Sequence, residues 1–471
     1  MNKNDILKTI PRMDVLLEDK RIAECGADVP HAKKRGIISA YLDEIRGEII
    51  RGERETLPNA DELVGNIVRR IDKGGLSSLR RVVNATGIVL HTNLGRAPLN
   101  GRLMDHMRDE LSGYSSLEYD IENGCRGSRY SHIEEKIAGL TGAESCLVVN
   151  NNAAAVFLVL NTLARGKRVA ISRGELVEIG GSFRVPDIME LSGAELVEVG
   201  TTNKTRVSDY EKVEDAQVFL KVHRSNFKLV GFNDSVSIPE LVEAGRECEC
   251  RVFFDLGAAF LTDEVIPERF KGRVKSATSY VREGADVICF SGDKLLGAAQ
   301  SGIILGSAGD IELMKKNPFA RMFRADKLTI GILEEALKLY SDGYAAKNGI
   351  PTLSMLNADE NTLKEKAERL CDFLREIAKE RGRCDLEFRL LPCTDEPGGG
   401  ALPGEELIGY AVEIRSKSLS ANSMEKHLRS ADVPVVSRIV NDAVCISVRT
   451  LLDGDENYIK KALFSSDRGK A

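Results

Sequence analysis

The rhythm of polar and apolar positions changes twice along the chain. Up to about residue 80 apolar residues recur at helical spacing, as in HAKKRGIISAYLDEIRGEIIRGE and, after LPNA, in DELVGNIVRRI. From about 82 to 330 short apolar runs take over: SCLVVN, RVAIS, ELVEVG, AQVFLKVH, RVFFDLG, DVICFSG and SGIILG. Runs of that length alternating with helical stretches predict an α/β fold with a mainly parallel, seven-stranded-type sheet. Helical spacing then returns in KLTIGILEEALKLYSDG and ENTLKEKAERLCDFLREIAKERG. LIGYAVEIRS and PVVSRIVNDAVCISVRTL, which follow, predict a small α+β domain. The expected organisation is a helical N-terminal domain over 1–80, an α/β domain over 81–335 and a small α+β domain over 336–471. KGGLSS (Lys73–Ser78) reads as a hinge and DEPGGGALPG (Asp395–Gly404) as a loop.

Composition narrows the class. The 471 residues are 42% hydrophobic and 29% charged, values of a water-soluble globular protein. No apolar run reaches the ~20 residues of a membrane span, and MNKNDILKTIPRMDVLL lacks the apolar core of a signal peptide. Ten cysteines without a CxxC pair fit a reducing, cytoplasmic setting better than a disulfide framework or a zinc site. The six histidines show no metal-binding spacing, so no metal is expected.

Charge is uneven. Residues 1–81 hold 16 Lys+Arg and 14 Asp+Glu, a balance of +2, which leaves −8 of the total −6 for the remainder. The basic residues gather at Lys33–Arg35, at Arg46, Arg51 and Arg54, and at Arg69–Arg70 and Arg80–Arg81. Such a cluster suits a phosphate backbone. Interleaved Asp43, Glu44 and Glu48 suit a solvated helix face equally.

In a parallel sheet ligands sit at the carboxyl ends of strands, so those ends carry the candidate chemistry. SCLVV runs into NNNAAAVFLVL, where Asn151, Asn152 and Ala153 open a helix with free N–H groups and room for an anion. RVFF ends in Asp255, a carboxylate that is costly to bury without a cationic partner. DVICF ends in SGDKLLGAAQ, with Ser291 and then Lys294 ringed by small residues. Alone, Lys294 reads as a solvated turn lysine. With an anion cradle and a buried acid on successive strand ends, the set fits pyridoxal 5′-phosphate, which needs a lysine to hold it, an acid at its ring nitrogen and a helix start for its phosphate. His223, at another strand end, is a satisfied core or wall histidine or a catalytic one, and it counts among the candidate cofactor contacts. Arg173 and Glu175 in SRGELVE either line the ring pocket or do not, and Arg126 and Arg129 in CRGSRYSH either bind phosphate or brace a loop.

Longer motifs then carry a resemblance. RVVNATGIVLHTNLGRAPL, RGSRYSHIEEKIAGLTGAESCLVVNNNAAAV, SRGELVEIGGSFRVPDIMELSGAELVEVGTTNKT, KVHRSNFKLVGF, FFDLGAAF and FSGDKLLGAAQSGIILG resemble, block by block, the bacterial selenocysteine synthases, from about residue 10 to residue 455. Two departures stand out: Arg224 replaces an expected small polar residue, and Ala258–Ala259 replace Ser–Gly. The resemblance implies a fold type I pyridoxal phosphate enzyme whose cofactor lysine and acid match Lys294 and Asp255. It implies conversion of seryl-tRNA(Sec) to selenocysteinyl-tRNA(Sec) through an aminoacrylyl intermediate, with selenophosphate as selenium donor. It also implies that the N-terminal domain recognises the tRNA, and that the chain assembles from dimers, as a ring-shaped homodecamer. The family's anion-holding arginines match Arg96 in TNLGRAPL and Arg321 and Arg324 in NPFARMFRADK. Read as i and i+3 on one helix, Arg321 and Arg324 would share a face suited to phosphate oxygens, or be ordinary surface charges. Two other readings stay open: a related lyase acting on a small amino acid or amino-sugar phosphate, and an RNA-binding protein without catalysis.

Overall fold

The computed structural model describes residues 3–75, 78–179 and 183–464, and the chain divides into two compact units, Met1–Arg81 and Val82–Ala471. The first is helical, with helices Lys3–Lys8, Met13–Glu18, Lys20–Glu24, His31–Arg51 and Ala60–Gly75. Along His31–Arg51 the buried residues Ile38, Tyr41, Leu42, Ile45 and Ile49 fall three or four apart, which turns one face inward. They pack with Leu63, Val64, Ile67 and Ile71 of the last helix in a core of this unit's own residues. Asn59 and Glu62 cap each other at the start of that helix, 2.9 and 3.1 Å. The helix runs on through Lys73–Gly75, where a hinge was expected, because its last turn lies against Ile37. Leu76 and Ser77 of that motif lie outside the described residues.

The basic residues of this unit divide in two. Arg46, Arg51, Arg54 and Arg70 pair with Asp43, Glu53, Glu48 and Glu44 at 2.6–2.8 Å. Lys33 and Arg35 are exposed on the first turn of their helix, without an ion pair among the described residues.

The second unit is built on a seven-stranded sheet. Its order is Ser145–Val149, Gly302–Gly306, Val287–Ser291, Arg251–Gly257, Ala216–Val222, Arg168–Ser172, Glu195–Val199. The seven apolar runs of the sequence are these strands. Six run in the same direction, and Gly302–Gly306 alone runs antiparallel to both of its neighbours. Val287–Ser291 and Ser145–Val149 are buried throughout, as strands covered on both faces must be. Apolar clusters fill the space on the two sides, one around Phe219, Phe254 and Phe290 and the other around Leu147, Phe253 and Ile304.

A second sheet has the order Arg438–Val440, Ala443–Ser447, Leu407–Ser416, Leu386–Gly398, Ile88–Leu90. Two details differ from expectation. The chain after residue 81 does not enter the α/β layer directly: Val83–Asn84 pairs in parallel with Val435–Val436, and Ile88–Leu90 with Glu396–Gly398. Runs of two or three residues carry no local sign of so distant a partner. The segment Asp395–Gly398, expected in a loop, is instead the end of a thirteen-residue strand. Toward the other boundary, helix Lys327–Leu339 runs straight through residues 335 and 336, and the core of the small sheet takes Val83 and Ala85 and then residues from Leu363 onward.

Candidate active site

A cavity of about 300 Å³ opens at the carboxyl ends of the central strands. It is lined by Arg96, Asn151, Asn152, Ala153, His223, Asp255, Ser291 and Lys294, all expected from the sequence, and by Gly257, Asp293 and Gln300, which were not. Eight positions spread over two hundred residues meet in one place because parallel strands deliver their ends to one edge.

Asp255 lies at the end of Arg251–Gly257 and is 3% exposed. Its Oδ1 accepts from Asn152 Nδ2 at 2.8 Å, Gly257 N at 3.1 Å and Cys289 Sγ at 3.5 Å. Its Oδ2 has no partner among the described residues. Burial pushes the carboxyl above the usual range, offset in part by Asn152, Cys289 and Lys294. A cationic group at Oδ2 would restore the charged form.

Lys294 is 7% exposed, and its Nζ makes no hydrogen bond to the described residues. Burial lowers its pKa first and the nearby Arg96 second, against Asp255 and Asp293. An amine so placed gives up its proton more readily and becomes a better nucleophile. Its company from the small sheet is Gly400 (φ 78°): a Cβ there would stand 2.9 Å from Lys294 Nζ. The sequence offered a signal for this approach in the GGG run, which was read only as a loop.

The cradle is a helix start. Asn151 caps Asn152–Leu163, its side chain accepting from Ala154 N at 2.9 Å. The N–H groups of Asn152 and Ala153 have no carbonyl one turn back and face an anion-sized space. Gly302 on the adjacent strand lies against Asn151 O, so the strand passes close only without a side chain. Three further polar atoms on cavity residues are buried without a partner: Asn152 Oδ1, His223 Nδ1 and Asp293 Oδ1. Burial, Lys221, Arg224 and Lys294 depress the His223 pKa to about 4, so its imidazole is neutral at physiological pH.

Arg96 lines the cavity with a partly exposed side chain. It holds a left-handed backbone (φ 61°), and its Nη1 donates to Asp293 Oδ2 at 2.8 Å. Such conformations in a non-glycine residue persist where surrounding contacts impose them. Here the turn is fixed by Arg96 N donating to His91 O at 3.1 Å and Ala97 N to Asp293 O at 3.3 Å.

Arg321 and Arg324 do not line this cavity. The helix Pro318–Met322 ends before Arg324, so the two do not share a helix face as expected. Arg324 bridges Val149 through its backbone, and its Nη1 donates to Glu118 at 3.1 Å. The same Glu118 oxygen receives Arg129 at 2.8 Å, and Arg129 also donates to Ala325 O at 2.5 Å, so Arg129 braces this corner. Arg126 stands exposed, 3.9 Å from Glu118. Glu175 is buried and accepts from Lys221 Nζ at 2.8 Å and Val222 N at 2.9 Å, while Arg173 pairs with Glu198 on the surface. Neither lines the cavity.

Comparisons with known proteins place the chain in a family. The sequence profile of the SelA family, L-seryl-tRNA selenium transferase, matches residues 82–452. The L-seryl-tRNA(Sec) selenium transferase of Caldanaerobacter subterraneus subsp. tengcongensis is 43% identical over 461 residues, 98% of each chain. That of Geobacter sulfurreducens is 44% identical over 463 residues, 97% of this chain and 98% of the relative. Among solved structures, a D-glucosaminate-6-phosphate ammonia-lyase aligns with a TM-score of 0.54 and 20% identity, covering 82% of this chain and 95% of its own. At that identity the likeness speaks for the fold, the fold type I arrangement that the resemblance implied. Among the described residues no helix is long and apolar enough to cross a membrane. With a match that spans both the cavity residues and most of the chain, the protein belongs to the L-seryl-tRNA selenium transferase family.

Proposed function

We propose that this chain is an L-seryl-tRNA(Sec) selenium transferase that works with pyridoxal 5′-phosphate and replaces the hydroxyl of tRNA-bound serine with selenium from selenophosphate. The observation that carries the reading is the meeting of Lys294, Asp255 and the Asn151-capped helix start in one cavity. The unpartnered atoms there fit the cofactor's chemistry: Asp255 Oδ2 for a protonated ring nitrogen, the Asn152 and Ala153 N–H groups for a phosphate, and Lys294 Nζ for the covalent attachment. When bound, pyridoxal phosphate supplies an electron sink for the pair released at the substrate α-carbon.

The protein's part is to place and to protonate. Asp255, held by Asn152, Gly257 and Cys289, keeps a positive charge on the ring nitrogen. Lys294 Nζ would hold the cofactor, and the same amine stands where it can take the α-proton of the substrate. His223, neutral, adds a wall without competing for that proton. Arg96 offers a guanidinium at the mouth for the selenium donor's anionic oxygens. Arg321 and Arg324, outside the cavity of this chain, serve the donor only from a neighbouring copy, in keeping with the homo-oligomer built from dimers that the resemblance implies. The N-terminal unit, with Lys33 and Arg35 exposed, takes the body of the tRNA.

The lyase alternative would share Lys294 and Asp255, but the 43–44% identity to the transferases runs the full length, including the N-terminal helices. A non-catalytic RNA-binding role leaves the buried lysine and acid without a purpose. The test is direct. Purified protein loaded with pyridoxal phosphate should convert seryl-tRNA(Sec) to selenocysteinyl-tRNA(Sec) when given selenophosphate, and Lys294→Ala should abolish conversion. Unchanged seryl-tRNA after incubation with the wild type overturns the reading.

A further inference from the structure

Beside the reaction cavity lies a second one, of about 390 Å³, and the two share His223 as a common wall. We propose that this second cavity holds the 3′-terminal nucleoside of the aminoacylated tRNA, a purine nucleotide with its 5′-phosphate. The proposal rests on the transferase reading and adds a place for the part of the substrate nearest the reacting serine.

Covalent chemistry sets the distance. Serine is esterified through its carboxyl group to the terminal ribose, so with its α-carbon at Lys294 that ribose lies a single ester linkage away. The space next to Lys294 across His223 and the Gly400–Leu402 turn is this cavity, with Leu295, Ala401 and Leu402 in its lining. Its volume is in the range of small-ligand sites, sufficient for one nucleoside.

The lining suits that occupant. Phe227, which is exposed, and the partly exposed Tyr280 give aromatic surface against which a base stacks without regard to its hydrogen-bonding edge. A bare anion has no use for such walls. The cations are of two kinds. Arg273 and Lys275 are neutralised by Glu405 and Glu283. Arg224 and Lys228 have no acidic partner among the described residues, which leaves two positive charges for the phosphate joining the last two nucleotides. Both Arg224 and Ala258, positions where this chain departs from the resembling motifs, line this cavity rather than the first. His223 Nδ1, buried and unpartnered, is positioned for the ribose or the ester oxygen between the two spaces.

The absence of tryptophan from the chain supplies the measurement. In Phe227→Trp holoenzyme the single indole should be quenched by millimolar adenosine 5′-monophosphate, and the nucleotide should inhibit conversion of seryl-tRNA(Sec) competitively. Adding Arg224→Ala and Lys228→Ala, both on the accessible rim, should weaken the quench by the nucleotide about tenfold and that by adenosine far less. In the otherwise wild-type enzyme the same pair should lower kcat/KM for seryl-tRNA(Sec) by a similar factor. Conversion that proceeds with neither quench nor inhibition overturns the assignment and leaves the transferase reading standing. Inorganic phosphate acting as strongly as the nucleotide also overturns it, reducing the cavity to an anion site. Quenching in a protein that never converts seryl-tRNA(Sec) supports the nucleotide cavity and removes the transferase reading.

Discussion

Arg96 Nη1 donates to Asp293 Oδ2 across 2.8 Å, tying a left-handed turn to the residue immediately before Lys294. The pair has an electrostatic consequence for the lysine. Arg96 lowers its pKa, second only to burial, and Asp293 acts the other way.

Removing Arg96 therefore raises the lysine's pKa twice over, by deleting a cation and by freeing the charge of Asp293. In Arg96→Ala the pH midpoint for capture of pyridoxal phosphate, followed by absorbance, should move upward. An unmoved midpoint would assign Arg96 to the substrate alone.

Asp255→Asn keeps a hydrogen-bonding side chain of the same shape and removes its charge. The variant should still bind pyridoxal phosphate, with turnover down at least about a hundredfold, because an amide cannot hold the ring nitrogen protonated. Titration of cofactor binding beside single-turnover rates separates the two effects. Near-normal turnover would make Asp255 a structural acid.

His223 carries a stability signature. Its folded-state pKa is depressed from 6.5 to about 4, chiefly by burial. On acidification the unfolded chain takes up this proton first, so stability falls from pH 6.5 toward 4 and the loss is complete below the folded value. At about 1.4 kcal/mol per pH unit the full effect is of the order of 3 kcal/mol. His223→Gln, neutral throughout, should flatten that part of the pH–stability curve in the cofactor-free protein, measured by urea denaturation. Parallel curves would show that His223 is protonated freely in the folded state.

Deleting residues 1–75 should leave a folded, cofactor-binding remainder, because the helical core uses only residues 6–71 and the other cores begin at Val83. Affinity for seryl-tRNA(Sec) should fall at least about tenfold, and its dependence on salt should flatten. Gel-shift titration at two ionic strengths checks both. Unchanged affinity would return the helical unit to a structural role.

How much of this could be read from residue order depended on whether the determinant was local. Lys294, Asp255 and Asn151 were legible because each follows an apolar run, and parallel strands bring such ends together. Asp293 was equally visible beside the lysine and was passed over, since nothing local shows that it meets Arg96 nearly two hundred residues away. The geometry of Arg324 was misread for a similar reason: its position is set by pairing with Val149, not by continuing the helix of Arg321. The Gly- and Pro-rich run Asp395–Gly404 argued for a loop. Its first four residues nevertheless continue the strand, because Glu396–Gly398 pairs with Ile88–Leu90 about three hundred residues earlier in the chain, a partner that nothing local reveals. The match of Gly400 to the lysine amine is a tertiary contact that no spacing encodes.

The pairing of Val83–Asn84 and Ile88–Leu90 with C-terminal strands imposes a schedule on biosynthesis. Gly87 N donates to the hydroxyl of Thr450, 363 residues later. At 5–20 residues per second, the segment leading to Arg96 waits roughly 20–70 s on the ribosome before its partners exist. The large sheet, whose last strand in the chain ends at Gly306, can form behind it in the meantime. In a nascent chain that stalls before residue 435, Val83–Asn84 has no strand to pair with, so the segment that carries Arg96 is among the last parts of each molecule to be fixed, although it is among the first to be made.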